Sequence, residues 1–350
     1  MTVLFKSITI YLLVLPCFLS GQNQSGKLNQ SLPQRQINGL PIIRNYLPSE
    51  YNATPQNWSI IKDSRGIMYF ANTAGVLEYD GVEWRLIQIT NEVSRTLAID
   101  DNGIVYVGGI DEFGYLQPDI KGEMRYKSLV SLLPPGEREF GDIWSIWPTD
   151  RGIFFQSSSH LFFIKDPVQS LENHKPANLK TWMPKTVFSP AFYVNHKYYI
   201  PETGTGLLTL NGDSLTLAPN GELFSKETIY DMLTYVSDDK TEAVGSKILV
   251  GTAGNGFYFY DGRKFTSFKT EADAYIKKNK LYFRGGILKN NCYVFGTQTG
   301  GLFVINNKGK LLQIINKKNG LSDNTVWFVY PDDAGVLWVG LNNGIARIIY

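Results

Sequence analysis

Apolar positions fall in short alternating runs, without the three-to-four spacing of an amphipathic helix, so the pattern predicts strands. One unit reads as an apolar strand, a four-residue turn ending in Gly, and a second strand. A Gly-containing loop, a third strand, an Asp-Gly or Asn-Gly turn and a fourth strand complete it. The clearest copies join Trp58–Ile61 to Gly66–Ala71, Leu97–Ile99 to Gly103–Gly108, Ile143–Trp147 to Gly152–Phe155, and Trp327–Tyr330 to Gly335–Gly340. Fainter copies centre on Tyr198–Ile200, Ile248–Gly251 and Tyr293–Gly296. The glycine opening the third strand recurs at Gly75, Gly114, Gly206, Gly256, Gly301 and Gly344, with Ser159-His160 once in its place. That spacing averages about 45 residues and gives seven units.

The turns make each unit a set of hairpins. Asp63–Gly66, Asp100–Gly103 and Asp332–Gly335 carry Asp first and Gly fourth, which suits a type I turn whose Asp carboxylate accepts backbone N–H groups. Tyr79-Asp80-Gly81, Tyr260-Asp261-Gly262 and Leu210-Asn211-Gly212 predict tight two-residue hairpins between third and fourth strands. The fold class expected is all-β: a single seven-bladed β-propeller with four antiparallel strands per blade. Two β-sandwiches would need a central linker and unlike halves, and neither is visible. The last unit runs out after its third strand, Ile345–Tyr350. Leu40–Tyr46 can serve as its missing outer strand and close the ring, leaving no open sheet edge.

Ahead of the ring, Lys6 and the apolar run Ile8–Leu19, followed by Ser20 and Gly21, read as a cleaved export leader over residues 1–22. The run is short for a bilayer span. Lipidation at Cys17 is disfavoured by Pro16, and an uncleaved anchor is the other alternative. The expected location is periplasmic or secreted, and the propeller domain is expected over residues 36–350. Loss of the leader leaves Cys292 alone, so no internal disulfide is expected, and its apolar setting reads as a small buried hydrophobe.

Composition narrows the function classes. A net charge of +2 lacks the surplus that phosphate neutralisation needs, so nucleic acid is excluded as a partner. Three His and two Cys leave little for a transition-metal site, and no metal or cofactor is expected.

The run Gly320–Trp327, Asp332, Gly335–Gly340 and Asn343–Ile345, with a second copy from Asn57 to Gly81, resembles the two-component regulator propeller family. These are the periplasmic sensor repeats of bacterial hybrid two-component and related transcriptional regulators. Units four and six depart from the motif by lacking the Asp-x-x-Gly turn. The resemblance implies a ligand sensor outside the inner membrane, continuing into a triple-tyrosine domain, a membrane helix and a kinase or DNA-binding output. Because those segments are not in this sequence, the expectation is either a receptor whose output lies elsewhere or a free-standing secreted one. Partners implied are a small-molecule or oligosaccharide ligand, a second copy of the chain, or a downstream membrane-anchored signalling module.

Catalytic constellations are poor. His160, His174 and His196 are isolated, and no zinc-protease, nucleophile-elbow or phosphate-loop motif occurs. Asp100–Gly103 lacks the alternating ligands of a calcium loop. The candidate ligand-binding positions are Trp58, Arg95, Trp144 and Trp327, each eight residues before its second-strand glycine, near the start of an innermost strand. Planar groups there either stack on a ligand in the central channel or wedge between blades as core. A buried Arg95 would need a partner. Polar loops on the same face add Asp111, Glu112, Glu202 and Asn255, which either bind or are merely solvated. A non-enzymatic, extracytoplasmic ligand-binding sensor is the leading expectation; a protein-interaction scaffold and a propeller lyase or glycosidase are the alternatives.

Overall fold

A computed structural model describes residues 41–349 apart from 174–177, 239–242 and 244. The expected leader and His174 lie outside the described residues. Seven four-stranded antiparallel sheets follow one another along the chain. Their inner strands are Asn57–Lys62, Ser94–Ile99, Ile143–Thr149, Phe192–Val194, Ile229–Thr234, Leu281–Ile287 and Val326–Pro331, which number blades one to seven. Each sheet is a plain meander, inner strand to outer strand, except the last. There Ile42–Tyr46 pairs antiparallel with Ile345–Ile349 as the fourth strand, in register from Ile42 opposite Ile349 to Tyr46 opposite Ile345. The ring is closed by its N-terminal strand. Tyr46 is 4% exposed, stacks on Trp338 at 5.9 Å and meets Trp84 of blade one edge-on at 5.4 Å.

The Asp turns form as their chemistry requires. Asp63 Oδ1 accepts from the backbone N–H of Arg65 and Ile67 at 2.9 and 3.0 Å, and Gly66 takes φ +90°. Asp100 and Asp332 repeat the pattern. The Asp-Gly connections are a correction to the sequence expectation. Tyr79 pairs with Trp84 and Tyr260 with Phe265, so these loops hold four residues. The reason is the Asp side chain: Asp80 Oδ1 accepts from both Val82 and Glu83, and Asp261 Oδ1 from Arg263 and Lys264. Those bonds favour the ionised form and lower both carboxyl pKa values. Asn211 does pair with Ser214 across a two-residue turn, as expected. Blade four replaces its Asp turn with Asn195-His196, both left-handed, between Val194 and Lys197.

Blades pack through their seams. The glycine ending the apolar core of the second strand is where the next blade comes closest. A Cβ at Gly340 would meet the Asn57 carbonyl oxygen at 2.4 Å, and one at Gly296 would meet Val326 Cγ1 at 2.6 Å. The recurring Val-Gly and Phe-Gly pairs are therefore a seam requirement. Large aromatics fill the remaining interior, for example Phe113 stacked on Phe155 at 4.3 Å between blades two and three.

Candidate channel-mouth site

The register of the inner strands builds the site. In blade one Asn57 faces Asn72 and Ser59 faces Ala71, leaving Trp58 unmatched in a β-bulge. The same irregularity isolates Arg95 between Ser94 and Thr96, Trp144 between Ile143 and Ser145, Tyr230 between Ile229 and Asp231, and Trp327 between Val326 and Phe328. A bulge adds one residue and re-directs its side chain. Here the extra residue turns towards the ring axis. Blade six reaches the same result with Tyr282, paired to Gly296 just before a larger bulge.

These side chains touch in sequence around the axis. Trp327 lies 4.1 Å from Trp58 and 5.0 Å from Tyr282, and Tyr282 lies 5.2 Å from Tyr230, all between ring centroids. Arg95 places its guanidinium carbon 4.2 Å from the Trp58 ring centre and 5.9 Å from that of Trp144. Trp58 also meets Trp144 at 6.4 Å, although blade two stands between them. Contact between blades one and three requires both rings to reach the axis. The four positions read from spacing thus reach towards the channel axis, and Trp58 also packs against the apolar core shared by blades one and two.

Arg95 has the partner that a half-buried guanidinium needs: its Nε donates to Asp142 Oδ1 at 2.6 Å. Its Nη1, the Trp327 Nε1 and the Ser94 hydroxyl are buried without a hydrogen-bond partner among the described residues. Trp58 Nε1 donates to Thr73 Oγ1 at 3.1 Å, which links the aromatic layer to the surface loops. Beside it, an open groove of about 630 Å³ is lined by Gln56, Thr73, Asp323, Asn342 and Asn343. Burial pushes the Tyr282 hydroxyl up to about 12, with Tyr230 adding to it, and burial raises Tyr230 as well, so both phenols stay neutral. Chemically this is a flat, π-rich surface with unfilled N–H donors, suited to an oxygen-rich or planar ligand.

The polar-loop candidates make other contacts. Asp111, at φ +49°, accepts from the backbone N–H of Phe140 and Gly141 at 2.6 Å each. Glu112 is 3% exposed and accepts from Tyr126 and Ser128 hydroxyls at 2.9 and 2.6 Å. Glu202, also 3% exposed, accepts from the N–H groups of Lys185 and Thr186. Asn255 is exposed and donates to Glu227. These side chains hold loops in place. His160 stacks on Phe162 and shares a 2.8 Å hydrogen bond with Ser159, and burial lowers its pKa. Cys292 is buried, and burial raises its thiol pKa, which disfavours the reactive thiolate.

Tyr230 and Tyr282 are the site residues that spacing missed: blade five has a long hairpin between Thr234 and Ile248, while blade six keeps the short turn but places Asn291 where the glycine would be and adds residues in its bulge. An aromatic second in a strand-opening triplet was the available signal: Ile229-Tyr230-Asp231 parallels Ile143-Trp144-Ser145.

Comparison with known proteins fits this repeat. The stretch 320–343, which holds Trp327, the Asp332 turn and the Leu337-Trp338-Val339-Gly340 strand, matches the family described as two-component regulator propeller. That stretch is similar to a two-component regulator propeller repeat. Among curated proteins none matches the sequence. Of solved structures, the extracellular domain described as that of a hybrid two-component system from B. thetaiotaomicron superposes with a TM-score of 0.64 at 15% identity, over 88% of this chain and 42% of that one. A second such ectodomain from the same organism gives 0.62 at 18% identity, over 88% and 39%. The chain spans about two fifths of the length of these ectodomains. Virginiamycin B lyase from Staphylococcus aureus gives 0.60 at 12% identity, over 89% and 99%. At such identities the likenesses establish the propeller, which carries receptors and enzymes alike.

Proposed function

We propose that this chain is the ligand-reading propeller of an extracytoplasmic receptor that feeds a signal-transduction or transcription-regulating output. In this reading residues 1–22 are an export leader and residues 36–350 the sensor domain. The ligand, a small molecule or oligosaccharide, rests on the channel mouth. The observation that carries the reading is the shared bulge: five blades spend an extra residue, and a sixth a different distortion, to bring Trp58, Arg95, Trp144, Tyr230, Tyr282 and Trp327 to one layer. A packing role would not need them on the axis. The two-component regulator propeller repeat supports the sensor class over the lyase.

Thermal-shift screening of the purified chain against glycan and peptide libraries tests the proposal, with indole fluorescence as a second readout. A ligand that raises Tm and perturbs the tryptophans without turnover supports it. Trp58→Ala and Arg95→Ala should each weaken that ligand by about tenfold or more. Product formation would instead make the chain an enzyme, and silence in both libraries would favour a protein-interaction scaffold.

A further inference from the structure

One residue further along the inner strand than Tyr230, blade five carries Asp231, 2% exposed. One of its oxygens accepts from the backbone N–H of Gly285 in blade six. Blade one shows what that bond requires: there Ser59, at the matching position, accepts from the N–H of Leu97 in blade two at 3.2 Å. A hydroxyl suffices for the seam. Asp231 supplies a carboxyl group instead, and its second oxygen is buried with no hydrogen-bond partner.

The same neighbourhood holds a second polar group that packing does not explain. Blade six sets residues 283–285 opposite Phe295 alone, a distortion with two extra residues, and Arg284 adopts φ +39°. A non-glycine residue there is strained. The strain brings the Arg284 guanidinium carbon 4.6 Å from the ring centre of Trp147, in blade three on the far side of the ring. The side chain therefore crosses the channel. Its Nη2 is buried and unpartnered, while the residue as a whole keeps part of its surface open. Trp147 is held by its own bond from Nε1 to the Ala191 carbonyl at 2.9 Å, so it is a fixed platform for the guanidinium.

We propose that Arg284 and Asp231 form a second binding site, inside the channel beneath the aromatic mouth, for a small ligand bearing a carboxylate. Arg284 pairs with the carboxylate from its Trp147 platform, and the free Asp231 oxygen takes part from the blade-five side. Two features favour this ligand class. The open Nη2 belongs to a guanidinium, whose fork matches a carboxylate. Burial also pushes the Asp231 carboxyl up to about 8 against the pull of Gly285 and Arg284, whereas Arg284, lowered to about 10 by burial, stays charged. The empty site at neutral pH is thus cationic, with a carboxylic acid ready to donate. Tyr198 is the other titratable group near Arg284, and burial raises its pKa so that it stays neutral.

Titration calorimetry of the purified chain with acetate and lactate, against acetamide and lactamide, tests this site. The carboxylates should bind and the amides should not. Arg284→Gln should weaken binding by about tenfold or more, and Arg284→Lys, which keeps the charge but not the fork, should restore only part of it. Affinity in the unaltered chain should fall as pH rises through about 8, whereas Asp231→Ser should lose that pH dependence. Trp58→Ala should leave carboxylate binding intact, which separates failure of this site from failure of the mouth. No heat with either carboxylate at millimolar concentration, equal binding of the amides, or undiminished binding by folded Arg284→Gln would overturn the proposal. If circular dichroism shows Arg284→Gln unfolded, the pH profiles of the unaltered chain and Asp231→Ser decide.

Discussion

At the scale of single residues, the informative side chains are those whose polarity exceeds what the local structure needs. Asp231 is the sharpest case, because its raised pKa has a consequence for stability. In the unfolded chain it titrates near the ordinary carboxylate value of 3.8, and in the fold near 8. Between these values the folded state holds the extra proton, so stability falls as pH rises across that window and the penalty is complete above it. Asp231→Ser keeps the seam hydrogen bond and removes the slope. It is expected to be more stable than the parent above pH 8, by up to a few kcal/mol, with the difference vanishing towards pH 4. Chemical denaturation of both proteins across that range checks this. Arg95 shows the opposite economy, since its Asp142 partner satisfies only part of the guanidinium.

Single-residue roles were unevenly legible. Trp58, Arg95, Trp144 and Trp327 could be picked out because a shared turn holds them at a constant interval. Tyr230 could not, because the hairpin between Thr234 and Ile248 breaks that interval. The roles of Glu112 and Glu202 were also hidden. Their sequence positions place them in polar loops, whereas in the fold they are buried acceptors for hydroxyl and backbone donors.

At the scale of elements, the hairpin is the unit and its glycines do two different jobs. Gly66, Gly103 and Gly335 supply the left-handed turn, with open space around them. Gly340 and Gly296 sit in extended strand and exist for the neighbour. Gly340→Val would drive a side chain into the backbone of Asn57 and should destabilise by about 1–3 kcal/mol, as overpacking does. Denaturant midpoints should show that loss, and a much smaller one for Ala71→Gly, the corresponding position of blade one, where a methyl group is already accommodated. The Asp-Gly pairs illustrate why loop length was misread: the dipeptide reports turn propensity, but the side-chain acceptor selects the four-residue form by bonding two N–H groups.

At the scale of the whole molecule, ring closure makes stability depend on a strand supplied by the other end of the chain. Ile42–Tyr46 covers the edge of Ile345–Ile349, and Tyr46 packs among Tyr79, Trp84 and Trp338 across the seam between blades seven and one. Tyr46→Ala should cost about 3 kcal/mol through the cavity it leaves. The accompanying sign would be faster hydrogen exchange in Ile345–Ile349 than in the central strands of other blades. Equal exchange in both would show that closure does not limit opening of the ring.

The amino-acid sequence by itself determined the strands, the seven-fold repeat, the Asp turns and the closing strand. Each follows from a signal written within one or two hairpins: alternation of period two, a turn residue at a set offset, a recurring glycine. Only the tertiary structure decided which way the Trp, Arg and Tyr residues face, because a bulge is defined by pairing with another strand. It alone also brought Arg284 of blade six to Trp147 of blade three. That contact spans the ring, and no local pattern encodes a distance measured across the channel.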